Sequence, residues 1–117
     1  MASDDPLNLK MIRTGHIPEY GHNDALFIAD KILYSGDTNE SVLDTEYARQ
    51  AKIIFHEVAL NTPVAHTTLE ELNRAPADIK AKTYLVHVPV AERAEIERLA
   101  PQMGFAGVCR NGQEIEI

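Results

Sequence analysis

The stretch ALFIADKILYSGDT, which runs from Ala25 to Thr38, decides the fold. Apolar residues fill positions 25–29 and 32–34, and the two residues between these runs are enough for a tight turn. Because both runs are apolar on both faces, we expect two strands that are covered on both sides. A glycine then lets the backbone turn sharply, so that Asp37 can project from the edge of the sheet.

Strand-like and helix-like patterns alternate on either side of this stretch. Further strands are predicted at residues 9–13, 53–55 and 83–86. Helices are predicted from residue 38 or 39 to 50, after a cap at Thr67, at 76–81 and at 90–100. A closing hairpin is expected from residues 106–109 and 114–117, around the turn at Asn111-Gly112. The alternation predicts an α/β fold with a mixed sheet and helices.

The composition is that of one ordinary globular domain. The chain has 117 residues, 44% of them hydrophobic and 25% charged, so we expect a flexible leader at 1–8 and a single domain at 9–117. A net charge of −7 argues against non-specific nucleic-acid binding, and no extended nucleic-acid surface is evident. The lone Cys109 excludes a disulfide within the chain. No apolar run reaches the about 18 residues that a membrane helix needs, so a cytoplasmic location follows by default.

Three side chains at strand ends or in loops are candidate metal ligands, namely His16, Asp37 and His87. The carboxyl ends of parallel strands share one crevice, so these side chains can meet there. Two imidazoles and a carboxylate suit a divalent metal, Zn²⁺ or Mn²⁺. Each residue also has an ordinary alternative: Asp37 as a helix cap, His87 as a partner of a backbone carbonyl, His16 as a solvated loop residue.

Two further polar residues are candidates for catalysis by proton transfer. His66 begins a predicted helix, where the dipole disfavours its cationic form, and a nearby metal-bound anion would favour that form again. Such a histidine can donate a proton to a leaving oxygen. Glu57 can orient an imidazole by accepting its second N–H. The alternatives are a histidine without a role and plain surface polarity at a strand end.

These residues resemble the C-terminal half of the metallo-β-lactamase-fold hydrolases, in the ribonuclease Z and phosphodiesterase branch. The resemblance is carried by His16 ahead of a hairpin and by residues 34–38, 54–59, 65–68 and 84–87. It implies half of an αββα sandwich in which Asp37 bridges two metals. It further implies that His16 and His87 each bind one metal and that His66 assists protonation of the leaving group. The implied reaction is attack of metal-activated water on a phosphodiester.

The His-x-His-x-Asp-His motif of that family is absent from this sequence. The resemblance therefore implies part of a metal-dependent hydrolase, incomplete or inactive alone, that pairs with a complementary N-terminal half-domain or with a second copy as a homodimer. Two alternatives stay open: a non-catalytic binding or regulatory module that dimerises through such a half-fold, and a reduced site with one metal on His16, Asp37 and His87. Apolar strand faces left without cover predict association with a partner chain.

Overall fold

The computed structural model describes residues 8–15, 22–61 and 66–116, and these residues build one mixed α/β unit. A six-stranded sheet has the order β1-β2-β3-β4-β5-β6. The strands are β1 (Lys10–Gly15), β2 (His22–Ile28), β3 (Ile32–Tyr34), β4 (Ile53–Glu57), β5 (Thr83–Val86) and β6 (Gly107–Val108). The helices are α1 (Glu46–Gln50), α2 (Leu69–Leu72), α3 (Ala77–Lys80) and α4 (Arg93–Met103), with a 3-10 turn at Val90–Glu92 before α4.

The sheet changes direction at β3. Strands β1, β2 and β3 pair antiparallel, as the short connection after Ile28 allows, and β3 to β6 pair parallel through helical crossovers. The predicted α/β fold with a mixed sheet is therefore confirmed. The carboxyl ends of β3, β4 and β5 lie at the same edge of the sheet because these three strands are parallel.

One face of the sheet carries the core. Alternate strand residues, among them Phe27, Leu33 and Leu85, are fully buried in one cluster with apolar residues of the helices. The ring of Tyr47 on α1 packs against Phe27, with centroids 5.2 Å apart. The helical residues in this cluster are Ala48, Leu69, Leu72, Ile79, Ile96 and Ala100. Burial of this apolar surface against the sheet stabilises helices that are too short to form alone.

Among the described residues, no such layer of helices covers the opposite face, which corrects the expectation that the strands are covered on both sides. The strand registers place Met11 opposite Leu26, Leu26 opposite Tyr34, Tyr34 opposite Phe55, and Phe55 opposite Tyr84. None of these five residues belongs to the buried cluster, and Met11 is 67% and Tyr34 40% exposed. We call this row the open face. Apolar composition in a strand thus did not mean burial on both sides.

Side-chain hydrogen bonds shorten the first predicted helix. The Thr38 hydroxyl accepts the N–H of Glu40, and His56 Nε2 accepts the N–H of Val42, so residues 38–44 take a non-helical path. Helix α1 begins only at Glu46, where the Thr45 side chain accepts the N–H of Ala48. The cap of α2 likewise is Thr68 rather than the predicted Thr67.

The C-terminal end also differs from the prediction. Strand β6 pairs parallel with β5, and residues 113–116 form no strand, so the expected closing hairpin is wrong. The turn at Asn111-Gly112 does form, with Gly112 at a φ of +78°. Within residues 8–15, 22–61 and 66–116, no helix is both long and apolar enough to cross a bilayer. The predicted leader at residues 1–8 lies outside the described residues except for Asn8.

Candidate functional site

Four polar side chains converge at the carboxyl edge of the parallel strands. Asp37, Glu57, His66 and His87 each offer one nitrogen or oxygen, and these four atoms all lie within 4.8 Å of one another. Asp37 follows β3, Glu57 ends β4, and His87 follows β5. The structure thus brings together four of the five residues singled out from the sequence. The fifth, His16, lies outside the described residues.

Asp37 is placed by a glycine and an asparagine. Gly36 has a φ of +66°, and a Cβ atom there would lie 2.6 Å from Asn23 Oδ1. That same oxygen accepts the backbone N–H of Asp37 at 3.0 Å, while Asn23 Nδ2 donates to the carbonyl of Ser35 at 2.8 Å. Only glycine fits this close approach, which aims the half-exposed Asp37 carboxylate at the cluster.

Two hydroxyl groups join the loops that carry the other residues. Ser35 Oγ, fully buried, accepts the backbone N–H of Glu57 at 2.9 Å and so ties the ends of β3 and β4 together. Thr67 Oγ1 donates to the carbonyl of Thr38 at 3.0 Å, which holds the segment beside His66 against the loop of Asp37. These hydrogen bonds fix the relative positions of the segments that carry Asp37, Glu57 and His66.

Glu57 is the unusual group of the cluster. Its side chain is fully buried, its Oε2 lies 2.9 Å from His66 Nδ1, and its Oε1 has no hydrogen-bond partner among the described residues. Burial, followed by the hydrogen bond and negative charge of Asp37, raises the pKa of Glu57 to about 9, against the opposing effect of the Thr38 and Thr67 amides. A buried carboxyl oxygen without a partner is costly, and it commonly marks a functional group.

His66 and His87 complete the cluster. His66 Nδ1 lies 3.4 Å from Asp37 Oδ1, and the two imidazole rings meet edge to face with centroids 5.5 Å apart. His87 has a φ of +53°, a conformation that is costly for a residue with a Cβ atom and that recurs at functional sites. His87 also lines a groove of about 530 Å³, together with Arg93 and Arg110, so the cluster adjoins space for a ligand.

The sequence reasoning missed three residues that build this site. Asn23 and Ser35 position Asp37 and Glu57, and His56 anchors the loop that follows Asp37. Asn23 did carry a signal, because it is a polar residue two positions before a run of apolar ones in the same strand. Ser35 and His56 carried none, since their roles depend on contacts across the sheet.

The donor set fits a divalent cation. Two carboxylates and two imidazoles within coordinating reach are typical ligands, and a cation would offset the repulsion between Asp37 and an ionised Glu57. Glu57 Oε1, which has no hydrogen-bond partner within residues 8–15, 22–61 and 66–116, points to the same conclusion. Fold and site together define a mixed α/β protein with an acidic and histidine-rich cluster at the ends of its parallel strands.

Comparisons with known proteins then give the family. A family model described as anti-Pycsar protein Apyc1 matches residues 2–115. Anti-Pycsar protein Apyc1 of Paenibacillus sp. (strain J14) is 38% identical over 85 residues, which is 69% of this chain and 34% of the relative. The protein of the same name from Paenibacillus harenae is 33% identical over 84 residues, again 69% of this chain and 34% of the relative. This chain belongs to the anti-Pycsar protein Apyc1 family, and it spans about a third of the length of these curated relatives.

These findings correct the family and function inferred from the sequence. The resemblance to half of a metallo-β-lactamase-fold hydrolase rested on four short stretches and one histidine, whereas the anti-Pycsar model extends over nearly the whole chain. The assignment to the ribonuclease Z and phosphodiesterase branch is therefore wrong. The two functions inferred from it, part of a hydrolase and a regulatory module with the same half-fold, are wrong as well. The names of the family and of these relatives mention no metal, so the case for a cation rests on the geometry of the site.

Proposed function

We propose that this chain acts against Pycsar, as the names of its relatives state for those proteins, through a divalent-cation site at the Asp37 cluster. The observation that carries the proposal is the convergence of four ligand atoms within 4.8 Å at the carboxyl ends of three parallel strands. The matched region is about a third of the length of each curated relative. That this chain has the activity of a whole family member is therefore itself proposed.

Asp37, His66 and His87 are the ligands in this proposal, and Zn²⁺ or Mn²⁺ is the cation. When bound, the cation supplies a fixed positive charge that attracts an anionic group. Glu57 acts through His66: its Oε2 is 2.9 Å from Nδ1, where an ionised carboxylate accepts the N–H and fixes the ring orientation. His16 stays a predicted ligand.

The Glu57 and His66 pair gives the site a second capability. In the cation-free site, where Nε2 of His66 is not a ligand, an imidazole oriented by a carboxylate can give or take a proton at that nitrogen. The arginines of the adjoining groove, Arg93 and Arg110, favour an anion beside His87 in a chain whose net charge is −7. We also place the protein in the cytoplasm, which fractionation of cells that express it would test.

The test is titration of Zn²⁺ and Mn²⁺ into the purified, chelator-treated chain by calorimetry. We expect at least a tenfold loss of affinity for Asp37→Asn and His87→Ala and a loss of about 10-fold to 100-fold for Glu57→Gln. Glu95→Gln is the matched control, because Glu95 is an exposed carboxylate on α4 that pairs with Arg98 outside the cluster. His16→Ala measures whether that residue adds a ligand.

The same variants connect the cation to the family role. Pycsar activity is measured in the presence of wild type, Asp37→Asn and Glu95→Gln, with soluble expression and a native circular dichroism spectrum required of each. The proposal expects wild type and Glu95→Gln to reduce Pycsar activity and Asp37→Asn to have lost that effect. Equal cation affinity in wild type and Asp37→Asn would refute the site.

A further inference from the structure

His87 is the member of the cluster whose backbone is under strain. Its φ of +53° is costly for a residue with a Cβ atom, and such a conformation persists only where the surrounding contacts hold it. The hydrogen bonds of Ser35 and Thr67 join the segments of the other three cluster residues, and they do not reach His87. The position of His87 therefore depends on a different contact.

Glu92 connects the segment that follows β5 with the segment that follows β4. Its Oε1 accepts the backbone N–H of Leu60 at 2.7 Å, and its Oε2 accepts an N–H of the Asn61 side chain at 3.2 Å. Leu60 and Asn61 come shortly after the end of β4, 32 and 31 residues before Glu92. Hydrogen bonds to a carboxylate are about twice as strong as those between neutral groups. Glu92 is therefore a firm link between the ends of two neighbouring strands.

The path from Glu92 back to His87 is short. Glu92 ends the 3-10 turn Val90–Glu92, and its own N–H donates to the carbonyl of Pro89 at 3.0 Å. Only Val88 and Pro89 separate His87 from this turn, and the ring of Pro89 fixes its φ, here at −58°. Few bonds are free to rotate between the two residues, so the position of Glu92 largely sets the position of His87.

The other end of the link leads to His66. Ala59, the neighbour of Leu60, donates its N–H to the carbonyl of Thr67 and accepts the N–H of Leu69, both at 2.9 Å. These two bonds form an isolated parallel bridge between the segment after β4 and the start of α2. Leu60 is thereby fixed relative to the residues that directly follow His66.

We propose that Glu92 is a positioning residue that holds His87 beside His66, an inference that rests on the proposed cation site. The two rings, with centroids 5.5 Å apart, offer nitrogens to one cation only while this spacing is kept. Arg93, the next residue, donates to the carbonyl of Cys109 at 2.6 Å. That bond fastens the turn to the end of β6, on the far side of β5 from β4. Glu92 therefore joins the two histidine segments, and Arg93 does not.

The experiment compares zinc affinity and the absorption spectrum of bound Co²⁺ in variants of the purified, chelator-treated chain. Glu92→Ala should lower zinc affinity at least tenfold and change the Co²⁺ spectrum, because His87 is no longer held at the ion. Glu92→Asp, whose carboxylate is too short to reach Leu60, should do the same and replaces Glu92→Ala if that variant does not fold. Glu92→Gln should stay within threefold of wild type, since its amide oxygen can still accept the Leu60 N–H.

Lys82→Ala is the matched control. Lys82 donates to the carbonyl of Ala51 at 2.5 Å, so it too is a charged side chain bonded to a backbone group 31 residues away. It directly precedes β5 and therefore lies at the opposite edge of the sheet from the cluster. Lys82→Ala should lower the urea midpoint, as Glu92→Ala does, but keep the zinc affinity and the Co²⁺ spectrum of wild type.

A second measurement needs no cation and so separates this inference from the proposed function. In the chelator-treated wild type, nuclear Overhauser effects should connect ring protons of His66 and His87. Glu92→Ala should lose them, and Lys82→Ala should keep them. If Glu92→Ala loses them and the wild type binds no zinc, Glu92 still positions His87, and the cation proposal alone fails.

Three outcomes would overturn the inference. The first is a folded Glu92→Ala chain whose zinc affinity and histidine ring contacts equal those of wild type. The second is an equal loss of zinc affinity in Glu92→Ala and Lys82→Ala, because Glu92 would then act only through the stability of the fold. The third is a Glu92→Gln chain that binds zinc as weakly as Glu92→Ala, because the bond to Leu60 would then not be the cause.

Discussion

His56 and Glu57 are neighbours on β4, both fully buried, and they project from opposite faces of the sheet. On the helix-covered face, His56 uses both ring nitrogens: Nδ1 lies 2.8 Å from the carbonyl of Glu57, and Nε2 accepts the Val42 N–H at 3.0 Å. On the other face, Glu57 has one carboxyl oxygen without a hydrogen-bond partner in the part of the chain that the structure describes, and it sits among the groups of the Asp37 cluster.

The pKa values of the two residues diverge for the same reason. Burial lowers the pKa of His56 to about 4 and raises that of Glu57 to about 9, so both side chains are neutral at pH 7 in the cation-free protein. The His56 environment is satisfied by a neutral ring. Glu57, by contrast, is buried beside Asp37, His66 and His87, which indicates a group arranged for something besides stability.

Removing His56 should give the largest loss of stability. His56→Ala deletes a buried ring and leaves the Val42 N–H without its acceptor, so we expect the free energy of unfolding to fall by about 3 kcal/mol. Urea unfolding measures it. Zinc affinity should change less than threefold, and a loss of stability below about 1 kcal/mol would contradict the structural role given to His56.

Gly36→Ala tests whether backbone geometry positions the cluster. The added methyl would collide with Asn23 Oδ1 and also suffer the strain of a positive φ, so we expect a loss of about 2 kcal/mol and weaker zinc binding. Gly104→Ala is the matched control. Its φ is +92° but nothing lies within 4 Å of the new Cβ atom, so it should lose only about 1 kcal/mol. Equal losses of unfolding free energy in Gly36→Ala and Gly104→Ala would show that the close contact with Asn23 does not require glycine at position 36.

Glu57 predicts a pH dependence of stability. Its pKa in the folded chain is raised to about 9 from 4.5, so the folded state holds a proton that the unfolded state has lost. The stabilisation is therefore present below about pH 4.5 and is lost as pH rises towards 9, by about 1 kcal/mol per pH unit. His56, whose pKa is lowered from 6.5 to about 4, has the opposite slope and contributes only below about pH 6.5.

These pH ranges determine where the stability should be measured. Urea unfolding in the presence of a chelator between pH 7 and 8.5 should show stability of the wild type falling as pH rises. Glu57→Gln should flatten that slope, because the amide cannot ionise. If the free energy of unfolding of Glu57→Gln falls with pH as steeply as that of the wild type, the buried carboxyl is not the source of the slope.

Local pattern was sufficient where an element is a simple apolar run. The strands at Ile32–Tyr34 and Thr83–Val86 have the bounds expected from the sequence, since short apolar runs between turn residues leave few alternatives. The helix predicted to run from a cap at residue 38 or 39 to residue 50 begins only at Glu46, because Thr38 and His56 bond backbone groups that a helix would use. Such competition depends on a neighbouring strand, and periodicity does not report it.

The candidate site divides in the same way. Asp37, Glu57, His66 and His87 were all candidates from the sequence because each follows a strand or precedes a helix. Their mutual distances, and the contacts of Asn23 and Ser35 that set them, needed the three-dimensional arrangement.

By itself, the sequence determined the bounds of β3 and β5, the α/β alternation and the residue types at the strand ends, because apolar runs and turn residues act over a few positions. Only the tertiary structure decided which buried polar residue is satisfied and which is not. That distinction depends on partners brought together from distant parts of the chain, such as Glu57 with His66 and His56 with Val42. The open face is a tertiary property as well, since the same strands form both faces of the sheet, and the placement of the described helices decides which face they cover.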